Sequence, residues 1–178
     1  MSHQAGRYVI SARVLHWITA AIVLSLIAAG LKMVYAEPPV EADKLRLYNI
    51  HESLGVVVFA LALWRLIVRW RNPPPALPED IPSVFHLAAH ATHGLLYVLL
   101  LAMPVIGFLG TNAWGFPLEW FGILPIPSPL GPDETLAPIL SALHWWGAFA
   151  IILLILAHVA GALFHHLIRR DPVLRRML

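Results

Sequence analysis

Apolar residues in this chain gather into four long blocks separated by charged or proline-rich breaks. The first block runs from about Ala12 to Val34 and the second from about Asn49 to Trp70. The third spans Val84 to about Leu109, and the fourth about Leu136 to Leu167. Crossing a hydrocarbon layer of about 30 Å takes roughly 20 helical residues, so each block is long enough to span a membrane. The pattern predicts an all-α integral membrane four-helix bundle, one domain over residues 1–178. The breaks support it. Glu37 to Arg46 is charged and opens with Pro38 and Pro39. Asn72-Pro73-Pro74-Pro75, Leu77-Pro78 and Ile81-Pro82 form a stiff extended link, because proline cannot continue a helix. The longest loop, Thr111 to Thr135, holds Pro117, Pro125, Pro127, Pro129 and Pro132. Within it, Leu118 to Leu124 reads as a short interfacial helix, and Trp114 and Trp120 suit the aromatic belt.

Charge fixes the orientation. If the helices alternate, Arg7, Arg13, Arg65, Arg69, Arg71, Arg169, Arg170, Arg175 and Arg176 share one side, against Lys32, Lys44 and Arg46 on the other. Both termini are therefore expected in the cytoplasm. Arg7 and Arg13 followed by an apolar run and Val34-Tyr35-Ala36 have the outline of a signal peptide, but the run exceeds the 7–15 residues usual for one. It is read as a retained helix.

Composition agrees with the pattern: 59% of the 178 residues are hydrophobic and 12% charged, about half the charge of a soluble domain. The chain has no cysteine, which removes covalent c-type haem, iron–sulfur clusters and thiolate zinc sites. A net charge of +2 carries no suggestion of nucleic acid.

Ten histidines stand out. An ionisable side chain inside a membrane is costly and usually faces the bundle interior with a task. His144 and His158 are 14 residues apart, which on a helix is about 21 Å of rise on nearly one face. One helix thus offers a nitrogen ligand at each of two depths. His51 starts the second block from outside, so it can meet His144 near the outer surface. His16 starts the first block from inside, so it can meet His158 near the inner one. Two opposed imidazoles suit a haem iron with no open position, whereas zinc normally takes three or four protein ligands. Gly55, Gly147 and Gly161 follow histidines by three or four residues and are expected to give a flat macrocycle clearance. The plainer alternative is that these histidines are polar glue between helices.

Other residues have weaker claims. His3 is expected in a disordered terminus. His86, His90 and His93 form a stripe near the inner end of the third block, suited to propionates, water or a quinone, and His90 or His93 stands as an alternative ligand to His158. His165 and His166 lie further in, near the surface. Arg13, three residues before His16, could pair a propionate. Outside, Lys44 and Arg46 could attract a small anion, although Glu41 and Asp43 dilute their field.

Taken together, Val14-Leu15-His16-Trp17, Asn49-Ile50-His51-Glu52-Ser53-Leu54-Gly55, Leu63-Trp64-Arg65-Leu66, His90-Ala91-Thr92-His93, Leu96-Tyr97, Met103-Pro104-Val105-Ile106-Gly107, His144, His158 and Leu163 to Asp171 resemble the prokaryotic cytochrome b561 family over nearly the whole chain. The resemblance implies a four-helix cytochrome of the bacterial inner membrane with two bis-histidine haems b. His51 would pair with His144 outside and His16 with His158 inside. It further implies a quinone-linked oxidoreductase, with ubiquinone as the expected substrate, and one branch of the family resembles a superoxide oxidase. Superoxide is accordingly a candidate donor at the outer face. Related subunits anchor hydrogenases and formate dehydrogenases, so the alternative is a non-enzymatic haem anchor that relays electrons from a soluble partner. Expected partners are membrane lipid, quinone, and either a second copy of the chain or a soluble redox protein. The quinone is expected at the inner end, near His90, His93 and Arg65. A histidine-lined metal or proton transporter is a third reading.

Overall fold

A computed structural model describes residues 6–75 and 81–178. His3 and the linker dipeptide Leu77-Pro78 lie outside the described residues. Four long helices dominate: α1 (Ile10–Tyr35), α2 (Glu41–Arg71), α3 (Ser83–Ala113) and α4 (Leu136–Leu163). Each is long and apolar enough to cross a membrane.

The second helix begins earlier than its hydropathy suggests. Pro38 and Pro39 precede an extended Val40, and Glu41 and Asp43 then occupy the first helical turn, where acidic groups oppose the positive end of the helix dipole. The charged segment is therefore the outer end of α2. At 31 residues the helix is about 46 Å long, so its polar end extends beyond the hydrocarbon. At the start of α4, the Asp133 carboxylate accepts from the N–H groups of Thr135 and Leu136, both at 2.9 Å. The helix widens into a π-turn over Phe164–Arg169 and stops at Arg170, which takes left-handed φ 58°.

Leu118 to Leu124 does not form the expected interfacial helix. It makes a small antiparallel hairpin, β1 (Glu119–Trp120) on β2 (Leu124–Pro125). The turn places Phe121 and Gly122 at φ 51° and 69°, a left-handed pair suited to a tight hairpin, and Pro125 cannot donate to a helix. The hairpin is pinned to α2. Asn49 Nδ2 donates to the Glu119 carbonyl (2.6 Å), and the Phe121 N–H donates to Ser53 Oγ (2.7 Å). Ser53 is fully buried, so Ser53→Ala orphans the Phe121 N–H at a cost of about 1–3 kcal/mol. Hydrogen exchange should show the Phe121 amide opening faster in that variant, with α2 unchanged; equal protection would mean the hairpin is held elsewhere.

α1 packs on α2, α2 on α3 and α3 on α4. Val23, Val58, Ala62, Leu100, Met103 and Ile151 form the mid-bundle core, and Ala113, Ala137 and Leu140 a smaller one near the outer end. Leu24, Leu63, Val98 and Leu156 point outward. Apolar residues on both faces of a helix are what lipid requires, since close packing between helices replaces the hydrophobic effect. The protein is a membrane-spanning four-helix bundle in contact with lipid.

The segment entering α1 meets the C-terminal tail. The Tyr8 N–H donates to the Arg176 carbonyl (3.1 Å) and Trp17 Nε1 to the Met177 carbonyl (3.0 Å). Tyr8 and Arg176 therefore lie at one end of the bundle, the end toward which the sequence gathers its arginines. Asp171 holds the returning tail. Its carboxylate takes His165 Nδ1 at 2.6 Å, the Val173 N–H at 3.0 Å and Arg169 Nε at 3.3 Å. Burial pushes this carboxyl upward, but His165, the Val173 N–H and Arg169 outweigh it and hold it below its ordinary value. A depressed folded pKa contributes stability that is complete above the unfolded value of about 3.9 and is lost as pH falls through the folded value. The tail should detach only in acid below about pH 4. Amide exchange at Val173 and Tyr8 checks this, and Asp171→Asn should free the tail at neutral pH.

Candidate functional site

Four histidines meet in two pairs. His51 of α2 faces His144 of α4 with ring centroids 6.2 Å apart, and His16 of α1 faces His158 of α4 at 6.0 Å. The 14 residues between His144 and His158 correspond to about 21 Å along the helix, so the pairs lie at two depths, one toward each surface.

The spacing within each pair has a simple metric. Metal–imidazole bonds are about 2 Å, and with roughly 1 Å more from nitrogen to ring centre on each side, two rings sharing one metal would stand about 6 Å apart. Both pairs match. Among the described residues no three His, Cys, Asp or Glu side chains are grouped to hold a metal ion. The arrangement therefore fits an ion whose remaining bonds come from a macrocycle. The Nδ1 atoms of His51 and His144 are buried with no hydrogen-bond partner, polar atoms left to a group that enters between the rings. On these observations the residues fit a bis-histidine haem.

Glycines of neighbouring helices also approach the rings. Gly30 of α1 lies against His51 and Gly107 of α3 against His144, where an added Cβ would stand 3.7 and 3.0 Å from Cε1 respectively. Gly55 instead meets Pro104, and a Cβ at Gly147 would overlap Met103 Sδ; both serve the packing of α3. Gly161 has nothing within 4 Å. Of these, only Gly107 approaches a ring closely enough that a side chain would press on it.

The inner pair is more crowded. The His93 ring is 5.2 Å from His158, and Arg65 Nη2 lies 3.2 Å from His16 Nδ1. Arg65 also sits 5.3 Å from the centre of the Tyr97 ring, a cation–π contact. A cavity of about 60 Å³ opens here, with His16, Arg65, Arg69, Asn72, His93 and Tyr97 in its wall. That is room for a few waters.

His90 is exposed and bonds the His86 carbonyl of its own helix at 2.7 Å, so it is not brought to the pair. Arg13 is absent from the cavity lining and lies instead on an outward groove with Trp17 and Met177. Outside, Lys44 is tied to Glu37 at 2.7 Å, which further dilutes the outer positive field. The contacts of Arg65 and Asp171 escape sequence reasoning. The first joins two helices 49 positions apart, and the second depends on the π-turn at the end of α4.

Comparison with known proteins agrees with this geometry. Residues 7–178 match the family described as prokaryotic cytochrome b561. The chain is 33% identical to cytochrome b561 homolog 2 of Escherichia coli (strain K12), covering 97% of this chain and 91% of that protein. It is 29% identical to cytochrome b561 homolog 1 of the same organism, covering 92% of each. A Yersinia pestis protein named "Probable superoxide oxidase CybB" is 32% identical over 72% of this chain and 73% of its own length.

Proposed function

The chain belongs to the prokaryotic cytochrome b561 family, whose members are haem b electron carriers of bacterial membranes, and from that premise we propose that it carries two haems b and passes electrons across the inner membrane to ubiquinone. His51 and His144 hold the outer haem, and His16 and His158 the inner one. The observation that carries this reading is the facing of two imidazoles at about one metal's span, twice, from a single helix.

When bound, haem would supply reversible one-electron storage, held by His51 with His144 and by His16 with His158. The protein's own part is to fix the rings and exclude water. The hairpin clamps α2 at Asn49 and Ser53, on either side of His51. At the inner end, the small cavity lined by His16, His93 and Tyr97 is where protons would enter. Electrons enter at the outer face from a small donor. With superoxide as donor, two anions each give up one electron and become dioxygen. One quinone takes both electrons and two protons from the inner side and becomes quinol. Support for that donor is the similarity to the Yersinia pestis protein.

The test is superoxide-dependent reduction of ubiquinone by the purified chain, with a haem count and a reduced-minus-oxidised spectrum. Two haems per chain and quinol formation by the chain alone are expected. Two haems without quinol formation, restored only by a soluble co-purifying protein, would make the chain an anchor subunit instead.

A further inference from the structure

Charge is distributed unequally between the two histidine pairs. Arg65 of α2 is half-buried. Its Nη2 lies 3.2 Å from His16 Nδ1, and its guanidinium rests 5.3 Å from the centre of the Tyr97 ring. Among the described residues no carboxylate pairs with it. Arg69, one turn further toward the inner end, lines the same small cavity and likewise has no carboxylate partner among the described residues. A guanidinium is not deprotonated in proteins, so the inner pair sits against a fixed, uncompensated positive charge. The outer pair does not. Among the described residues no lysine or arginine bonds to His51 or His144. Lys44 is tied to Glu37, and Lys32 and Arg46 are exposed, where salt screens them. The one ionisable neighbour of His51 in the chain is an acid, Glu52, whose side chain bonds Thr111 of α3.

We propose that Arg65, assisted by Arg69, sets the direction of electron flow by making the inner haem the stronger electron acceptor of the two; the inference rests on the two-haem reading above. In the step concerned one electron leaves the outer iron, which goes from ferrous to ferric. The same electron reaches the inner iron, which goes from ferric to ferrous. No proton moves and no bond is exchanged. A ferric haem carries one more positive charge than a ferrous one. A fixed cation beside it repels that extra charge and so favours the reduced form. Both haems bring the same carboxylate substituents, so a difference between them has to come from the chain. Coulomb energy falls with distance, and the outer pair lies about 21 Å away along α4. Arg65 therefore acts on the inner haem far more than on the outer.

Potentiometric titration of the purified haem-loaded chain, followed in the α band, reads both haems. The wild type should show two potentials separated by about tenfold or more in equilibrium constant, or about 59 mV for one electron. His16→Ala, which keeps the outer haem, should retain the lower potential, and His51→Ala the higher one. Arg65→Gln should lower the higher potential by about the same tenfold step and leave the lower in place. Arg65→Lys keeps the charge and should restore most of that loss. If Arg65→Gln does not load two haems, Arg69→Gln carries the test, with a smaller shift in the same direction. The reverse order of potentials in the two histidine variants overturns the inference. So does an Arg65→Gln shift that Arg65→Lys shares in full, or no shift in either arginine-to-glutamine variant. Fewer than two haems in the wild-type chain would defeat the broader reading and this inference with it, whereas two haems with a gap indifferent to these charges defeats only the role of Arg65.

Discussion

His144→Ala and His51→Ala should each lower the haem content from about two per chain to about one, and both should lose the same haem. The pairing rests on rings 6.2 Å apart, contributed by helices that share no direct sequence spacing. Removing either ring leaves the iron with one protein bond, and alanine offers no nitrogen. His16 and His158 lie roughly 20 Å deeper and keep their own geometry, so the second haem survives. The double variant should be no worse than either single one, because the two rings act as a unit. Pyridine haemochrome assay and the α-band line shape read the result. Loss of spectrally different haems from the two single variants would break the pairing.

Gly107→Val should reproduce that loss without removing a ligand. A Cβ at Gly107 would stand 3.0 Å from His144 Cε1 and 3.2 Å from Nδ1, so the imidazole must give way, and valine's branched methyls block its return. Overpacking costs about 1–3 kcal/mol, which at a ligand corresponds to roughly five- to 150-fold weaker haem retention. Gly107→Ala should be milder, needing a shift of only a few tenths of an ångström. Gly30→Ala is the control, since its Cβ meets His51 at an ordinary 3.7 Å and should leave the haem content near two. Equal loss in all three variants would show general loosening of the bundle.

Much of the bundle was legible in the sequence because lipid imposes length and composition on each span. The polar start of α2 was not, since Glu41 to Arg46 is helical for reasons of capping and dipole while its hydropathy reads as a break. The hairpin at Leu118 to Leu124 depends on left-handed Phe121 and on Ser53 of a different helix, neither visible as a local pattern. Within the site, the 14-residue step from His144 to His158 reports helix geometry directly. By contrast, Gly30, Gly107, Arg65 and His93 come to the rings from other helices, and no spacing along the chain encodes such meetings. Arg13 shows the limit of face arguments: three residues before His16, it nevertheless points to the lipid side of α1.

The central claim is two six-coordinate haems in one chain, and low-temperature EPR of the oxidised purified protein with a parallel haem assay addresses it most directly. Two low-spin ferric signals of bis-imidazole type at two haems per chain are predicted. A high-spin signal from an open-sided iron, or one haem per chain in fully loaded protein, would contradict it.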